Sequence, residues 1–125
     1  MKVPLSKAIE ELTSLIHNAS NILIVSHERP DGDAISCILA MSHFLKALNK
    51  NVLPVISDYI PENLYFLKGV NEIIVYEQQP SVVEAFLMDC DLLICVDMNS
   101  LNRSGKVASA ISKKYLPTIF IDHHP

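Results

Sequence analysis

Five short, mostly aliphatic runs recur along the chain, and the longer segments between them carry helical spacing or turn signals. That alternation constrains the fold more than any other feature. Repeated helix crossovers of this length join parallel strands, and the right-handed sense of such crossovers winds the chain over both faces of one sheet. The first segment shows the pattern, with Leu5, Ala8, Ile9, Leu12, Leu15 and Ile16 at helical spacing. Helices are expected over residues 5–19, 33–49, 62–67, 81–88 and 107–114, the third of them short. Strands are expected over 21–26, 52–56, 72–76, 91–96 and 118–121, with a turn over 54–61. The expected fold is α/β, a doubly wound, mainly parallel five-stranded sheet with helices on both faces. Sequence alone leaves the strand order open.

Reactive side chains collect where three of the runs end. Ile22 to Val25 lead into Ser26-His27-Glu28-Arg29-Pro30-Asp31-Gly32-Asp33-Ala34, the run from Leu92 to Val96 ends on Asp97, and the last run ends on Asp122-His123-His124-Pro125. Ligands are placed in this way at the carboxyl ends of parallel strands. Asp31, Asp33 and Asp97 bring three negative charges together, and Arg29 and Arg103 are the only arginines in the chain, so metal cations are the natural counter-charge. Mixed carboxylate and imidazole ligands suit manganese, magnesium or iron better than the thiolate-rich sets of structural zinc. Two such ions, about 3.5–4 Å apart, activate water and stabilise both oxygens of a phosphoryl transfer. Asp31 and Asp33 also have a second reading, as helix N-cap and first-turn acid. For Asp31-Gly32-Asp33 alone the two stand even; His27, Asp97 and Asp122-His123-His124 favour the metal.

Size and charge narrow the class further. At 125 residues and 50% hydrophobic composition the chain has single-domain size and material for one core. No stretch is long enough to span a bilayer and Met1-Lys2-Val3-Pro4 lacks the apolar core of a signal peptide, so a soluble, cytoplasmic protein without a membrane partner is expected. Cys37, Cys90 and Cys95 are odd in number, and buried free thiols are expected rather than a disulfide. A net charge of −4 and the lack of a basic stripe argue against gripping long duplex nucleic acid, whereas a small anionic substrate held by metal is compatible with both. His17 and His43 read as structural or solvated. Tyr59, Tyr65 and Phe66 read first as loop packing beside Pro61, with a stacking platform for a base as the alternative.

These motifs resemble those of the DHH phosphoesterases. His27-x-x-Pro30-Asp31-Gly32-Asp33-Ala34 is similar to the family's first motif, Asp97 with Arg103-x-Gly105 to its second, and Asp122-His123-His124 to the Asp-His-His that names it. They fall in the family's order along the chain. Pro-Asp-Gly-Asp-Ala resembles the branch of short-oligonucleotide phosphodiesterases and 3′-phosphoadenosine 5′-phosphate phosphatases. Two departures, Ser36-Cys37 in place of Gly-Ser and Ser100 in place of an acid, bear on substrate preference rather than on metal ligands.

The resemblance implies a strand order of 2-1-3-4-5 with the site between strands 1 and 3. It also implies two Mn2+ ions, with Mg2+ or another divalent ion as the alternative. His27, Asp31 and Asp97 would hold the first, and Asp33, Asp97 and His123 the second, Asp97 bridging. His124 would touch a phosphate oxygen or orient the nucleophile, and Asp122 would fix a neighbouring imidazole. Arg103 would contact the substrate phosphate, an ion pair with a nearby acid being the competing reading. The expected activity is metal-dependent hydrolysis of phosphate esters of short oligonucleotides or nucleotides. A pyrophosphatase or a cyclic-dinucleotide phosphodiesterase of the same superfamily is the alternative. The chain ends one residue past the third motif. Residues 1–125 are therefore expected to be a catalytic domain truncated before a further metal-binding aspartate and a substrate-binding domain. The competing class is an inactive metal-binding or dimerising fragment, and homodimerisation is left open.

Overall fold

The computed structural model describes residues 4–123. Its elements follow the expected alternation: α1 (Leu5–Asn18), β1 (Asn21–Val25), α2 (Gly32–Ala47), β2 (Asn51–Ile56), β3 (Ile74–Val75), α3 (Pro80–Asp89), β4 (Leu92–Val96), α4 (Val107–Ser112) and β5 (Thr118–Ile121). The segment expected as a short helix is a single 3-10 turn at Glu62–Leu64, and two further 3-10 turns, Val70–Glu72 and Leu101–Ser104, had no counterpart in the sequence reading.

All five strands are parallel, in the order β3-β2-β1-β4-β5. This corrects the order 2-1-3-4-5. The third strand lies outside the second, pairing Val55 with Ile74 and Ile56 with Val75, and β4 takes the place beside β1, with Ile22 against Leu92 and Val25 against Cys95. Length and burial explain the exchange. A central strand must be apolar on both faces; all five residues of β4 are buried, whereas β3 has only two residues and one of them half-exposed. Pro54 also lies inside β2 rather than opening a turn. Pairing with β3 begins only at Val55, so its missing N–H costs no ladder bond there.

Alternation along the strands feeds two cores. Ile22 and Ile24 of β1 pack with Ile35, Ile38 and Leu45 of α2 and with Ile16 of α1 on one face. Leu23 and Val25 pack with Val83 and Leu87 of α3 and with Val107 and Ile111 of α4 on the other. The sheet is thus covered on both sides, and its carboxyl ends are left to carry chemistry. No helix among the described residues is long and apolar enough to cross a membrane.

The end of α2 is closed by backbone alone. Asn49 adopts φ 64°, its N–H donating to the Lys46 carbonyl at 2.9 Å while the Lys50 N–H reaches the Leu45 carbonyl at 3.1 Å. This paired closure normally takes glycine at the left-handed position. Asn49→Gly is therefore expected to stabilise the protein by about 0.5 kcal/mol, once glycine's larger unfolded-state entropy is set against the relief of the Cβ contact. A thermal melt should register a gain of roughly 1–4 °C.

Candidate metal centre

The strand order reverses its direction of winding between β1 and β4, which leaves a crevice outside their carboxyl ends. His27 follows β1 and Asp97 follows β4, so both sides of that crevice are armed. Ser26 ties the two ends together: it is fully buried and its hydroxyl donates to the Val96 carbonyl at 2.7 Å. Asp97 is bound in turn to the next strand, its N–H donating to the Ile121 carbonyl at 2.8 Å.

Asp97 is the pivot of the site. It is 4% exposed and adopts φ 57°, a left-handed conformation that an aspartate reaches more readily than most residues but still at a cost. Its Oδ2 lies 3.3 Å from His27 Nε2 and its Oδ1 lies 3.5 Å from His123 Nδ1. Yet Oδ1 is buried with no hydrogen-bond partner among the described residues. A desolvated carboxylate oxygen left in this way costs about 1–3 kcal/mol or more, a cost that a cation at Oδ1 would offset.

The histidine on the first loop has its ring fixed by the backbone. His27 Nδ1 lies 2.8 Å from the Glu28 carbonyl oxygen, and since a carbonyl only accepts, Nδ1 is the donor. Nε2 then faces Asp97 Oδ2 and, at 3.7 Å, Asp31 Oδ1. A backbone acceptor behind an imidazole is the usual arrangement for fixing the tautomer of a ligating histidine. Asp31 takes its helix-cap reading and lies beside His27 and Asp97. It is the N-cap of α2, accepting the Ala34 N–H at 2.9 Å, and that bond holds its carboxylate against the crevice.

Two groups of ligand atoms result, each with all members within 4.8 Å of one another: His27, Asp31 and Asp97, and Asp97, Asp122 and His123. Asp97 is common to both. The first group matches the expected first-ion set. In the second, Asp122 stands with Asp97 and His123; Asp33, expected there, lies exposed on the first turn of α2 and is in neither group. It is still close enough to act electrostatically, since Asp97, Asp33 and Asp31 all help to raise the Cys37 thiol. Arg103 is exposed on the 3-10 turn after β4, and its carbonyl accepts the Glu28 N–H at 2.7 Å. The only two arginines of the chain, Arg29 and Arg103, therefore stand on loops that touch. His124 lies outside the described residues. Oxygen and imidazole donors around a buried, unsatisfied carboxylate fit hard divalent ions of the manganese or magnesium kind.

The remaining candidates sort by exposure. His17 and His43 are exposed on their helices. Ile60, Leu64 and Leu67 pack on the core, while Tyr59, Tyr65 and Phe66 stay 50–80% exposed, so the aromatic trio is not the packing face of its loop. Cys90 and Cys95 are buried free thiols as expected, but Cys37 is exposed. The helical position assumed to be interior falls on the crevice side of α2, near the acids. Burial pushes the Cys95 thiol up to about 12; burial first and the three carboxylates second raise that of Cys37. A raised thiol pKa means less thiolate at a given pH, and at pH 8 roughly one Cys95 in ten thousand is ionised. Alkylation followed by mass spectrometry at pH 8 should modify Cys37 first, more slowly than a free cysteine, and Cys95 last.

The end of β2 also supports the site, through two residues that carry no motif. Ser57 is 2% exposed; its hydroxyl donates to the Ser104 carbonyl and accepts the Val107 N–H at 2.9 Å. Asp58 Oδ2 accepts the Arg29 N–H at 2.8 Å. Short polar residues following an apolar run were the only local signal, and they read equally well as a turn.

Residues 21–125 match the family model described as DHH family, N-terminal domain, a span that includes every member of both ligand groups. Among solved structures, that of an exopolyphosphatase-related protein from Bacteroides fragilis is similar, with a TM-score of 0.91 and 31% sequence identity. The match covers 99% of this chain and 36% of that one, so the chain spans about a third of the length of its solved relative. No curated protein matches the chain.

Proposed function

The chain belongs to the DHH family, and on that premise we propose that its crevice is the metal centre of a phosphoesterase acting on short oligonucleotides or nucleotides, with manganese as the metal. The observation that carries the proposal is Asp97: a buried carboxylate set between two imidazoles, with one oxygen unsatisfied.

When bound, a pair of divalent ions lowers the pKa of a water and offsets charge on the attacking and leaving oxygens of the phosphoryl group. The chain's own groups do the rest. His27, Asp31, Asp97 and His123 are the proposed ligands, with Asp122 joining them on the strength of its place beside Asp97. Asp33 is retained as a proposed ligand of the second ion and His124 as the group that orients the nucleophile. Arg103, on the loop after β4, is the proposed contact for a phosphate oxygen, and the N-terminus of the 16-residue α2, capped by Asp31, adds its partial positive charge. With no basic stripe beyond these, affinity rests on the reacting phosphate, which suits a short substrate better than a long duplex. The buried free thiols Cys90 and Cys95 support a reducing, cytoplasmic setting.

Because the solved relative is described as exopolyphosphatase-related, a phosphoanhydride substrate is the second reading. Hydrolysis of a dinucleotide, 3′-phosphoadenosine 5′-phosphate, a cyclic dinucleotide, pyrophosphate and polyphosphate, each with Mn2+ and with a chelator, separates the two. Much faster turnover of pyrophosphate or polyphosphate would move the assignment to the second reading. Undiminished turnover in chelator would remove the metal mechanism.

A further inference from the structure

Three loops meet behind the first ligand group, and the third belongs to neither motif. The first loop binds the second through the Glu28 N–H and the Arg103 carbonyl at 2.7 Å. The end of β2 binds both: Ser57 holds the second loop at Ser104 and Val107, and Asp58 holds the first at Arg29. Gly105 closes the triangle, for a Cβ there would stand 3.1 Å from Glu28 Cβ and from Ser57 Cβ and Oγ.

The bond from Asp58 falls where the first loop is under strain. Arg29 has φ 50°, a conformation that costs a non-glycine residue about 1–3 kcal/mol unless its surroundings impose it. Its guanidinium is mostly in solvent, so the side chain does little to fix the backbone. The Asp58 carboxylate does so directly, and its hydrogen bond goes to this one N–H: its other oxygen is buried without a hydrogen-bond partner among the described residues. Arg29 lies two residues after His27 and two before Asp31, so the bond fixes the middle of the segment that presents both groups to Asp97.

We infer that Asp58 is a positioning residue for the metal centre, holding the His27–Asp31 loop in its strained ligand-presenting form through the Arg29 N–H. The inference rests on the reading of the crevice as a metal centre. Its physical content is an acceptor at a fixed place, not a charge. A backbone amide donates to an asparagine oxygen as it does to a carboxylate, so the two side chains are equivalent for this task, and alanine is not.

Mn2+ titration of the 125-residue protein and its variants by calorimetry provides the test, with metal-free thermal melts and amide exchange at Arg29 as readouts independent of the metal. Asp58→Ala should weaken Mn2+ binding about tenfold to a hundredfold, the usual effect of removing a group that orients a ligand, and speed exchange at Arg29. Asp58→Asn should bind within about threefold of the parent. Asp58→Ser, with an acceptor too short to reach, stands in if the alanine variant does not fold. Parent-like affinity for Asp58→Ala, or a loss in Asp58→Asn as large as in Asp58→Ala, would overturn the positioning role while leaving the metal centre intact. A parent protein that binds no Mn2+ would overturn both together.

Discussion

Asp97→Asn is expected to lower turnover by about a thousandfold or more, the scale of the several kcal/mol that metal-supplied charge stabilisation contributes to a phosphoryl transfer. The same change should abolish most of the rise in melting temperature on adding Mn2+. Asp97 is the one residue common to both ligand groups, and its two oxygens face different histidines, His27 and His123. Replacing the carboxylate by an amide removes the negative charge from both at once. Asparagine tolerates left-handed backbone as aspartate does, so the φ of 57° is kept and the loss is chemical rather than conformational. Asp33→Asn, at an exposed position outside both groups, should weaken mainly the second site. Metal content of the two purified variants checks the contrast, and equal loss from both would sink the bridging role of Asp97.

Gly105→Ala should be the most damaging substitution outside the ligands. Gly105 has φ 81° and ψ −144°, a region essentially closed to residues with a side chain, and the added methyl meets Glu28 and Ser57 at 3.1 Å. Backbone strain of about 1–3 kcal/mol and overpacking of a similar size act together, against a typical total stability of about 5–15 kcal/mol. Urea unfolding should show a loss of about 2–5 kcal/mol at unchanged slope. Any relief must come from the loops parting, so metal affinity should fall with stability. A variant as stable as the parent would show that the triangle of loops is looser than these contacts require.

The sheet was legible because aliphatic runs and crossover lengths are local. Strand order was not, because which neighbour a strand pairs with depends on how much apolar surface each face must cover. The grouping of His27, Asp31 and Asp97 followed from strand ends. What stayed hidden is tertiary: that Asp122 groups with Asp97 and His123 depends on where β5 ends, and the Asp58–Arg29 bond joins residues 29 positions apart. Cys37 was misplaced for a related reason, since helical spacing marks a face but not whether another element covers it.

The ligand groups come from the ends of β1, β4 and β5, and more than half the chain lies between Asp31 and Asp97. An unfolded chain offers an ion only scattered pairs, so binding waits until the sheet has closed. Contacts made that late leave the folding rate alone and appear wholly in the reverse step. Mn2+ at about a hundred times its dissociation constant adds about 2.7 kcal/mol, which should slow unfolding roughly a hundredfold and leave refolding unchanged. Stopped-flow measurements at several ion concentrations would resolve the two arms. If the crevice holds the ion as proposed, a cell starved of it would make this protein at the usual speed and lose it sooner to proteases that act on opened chains.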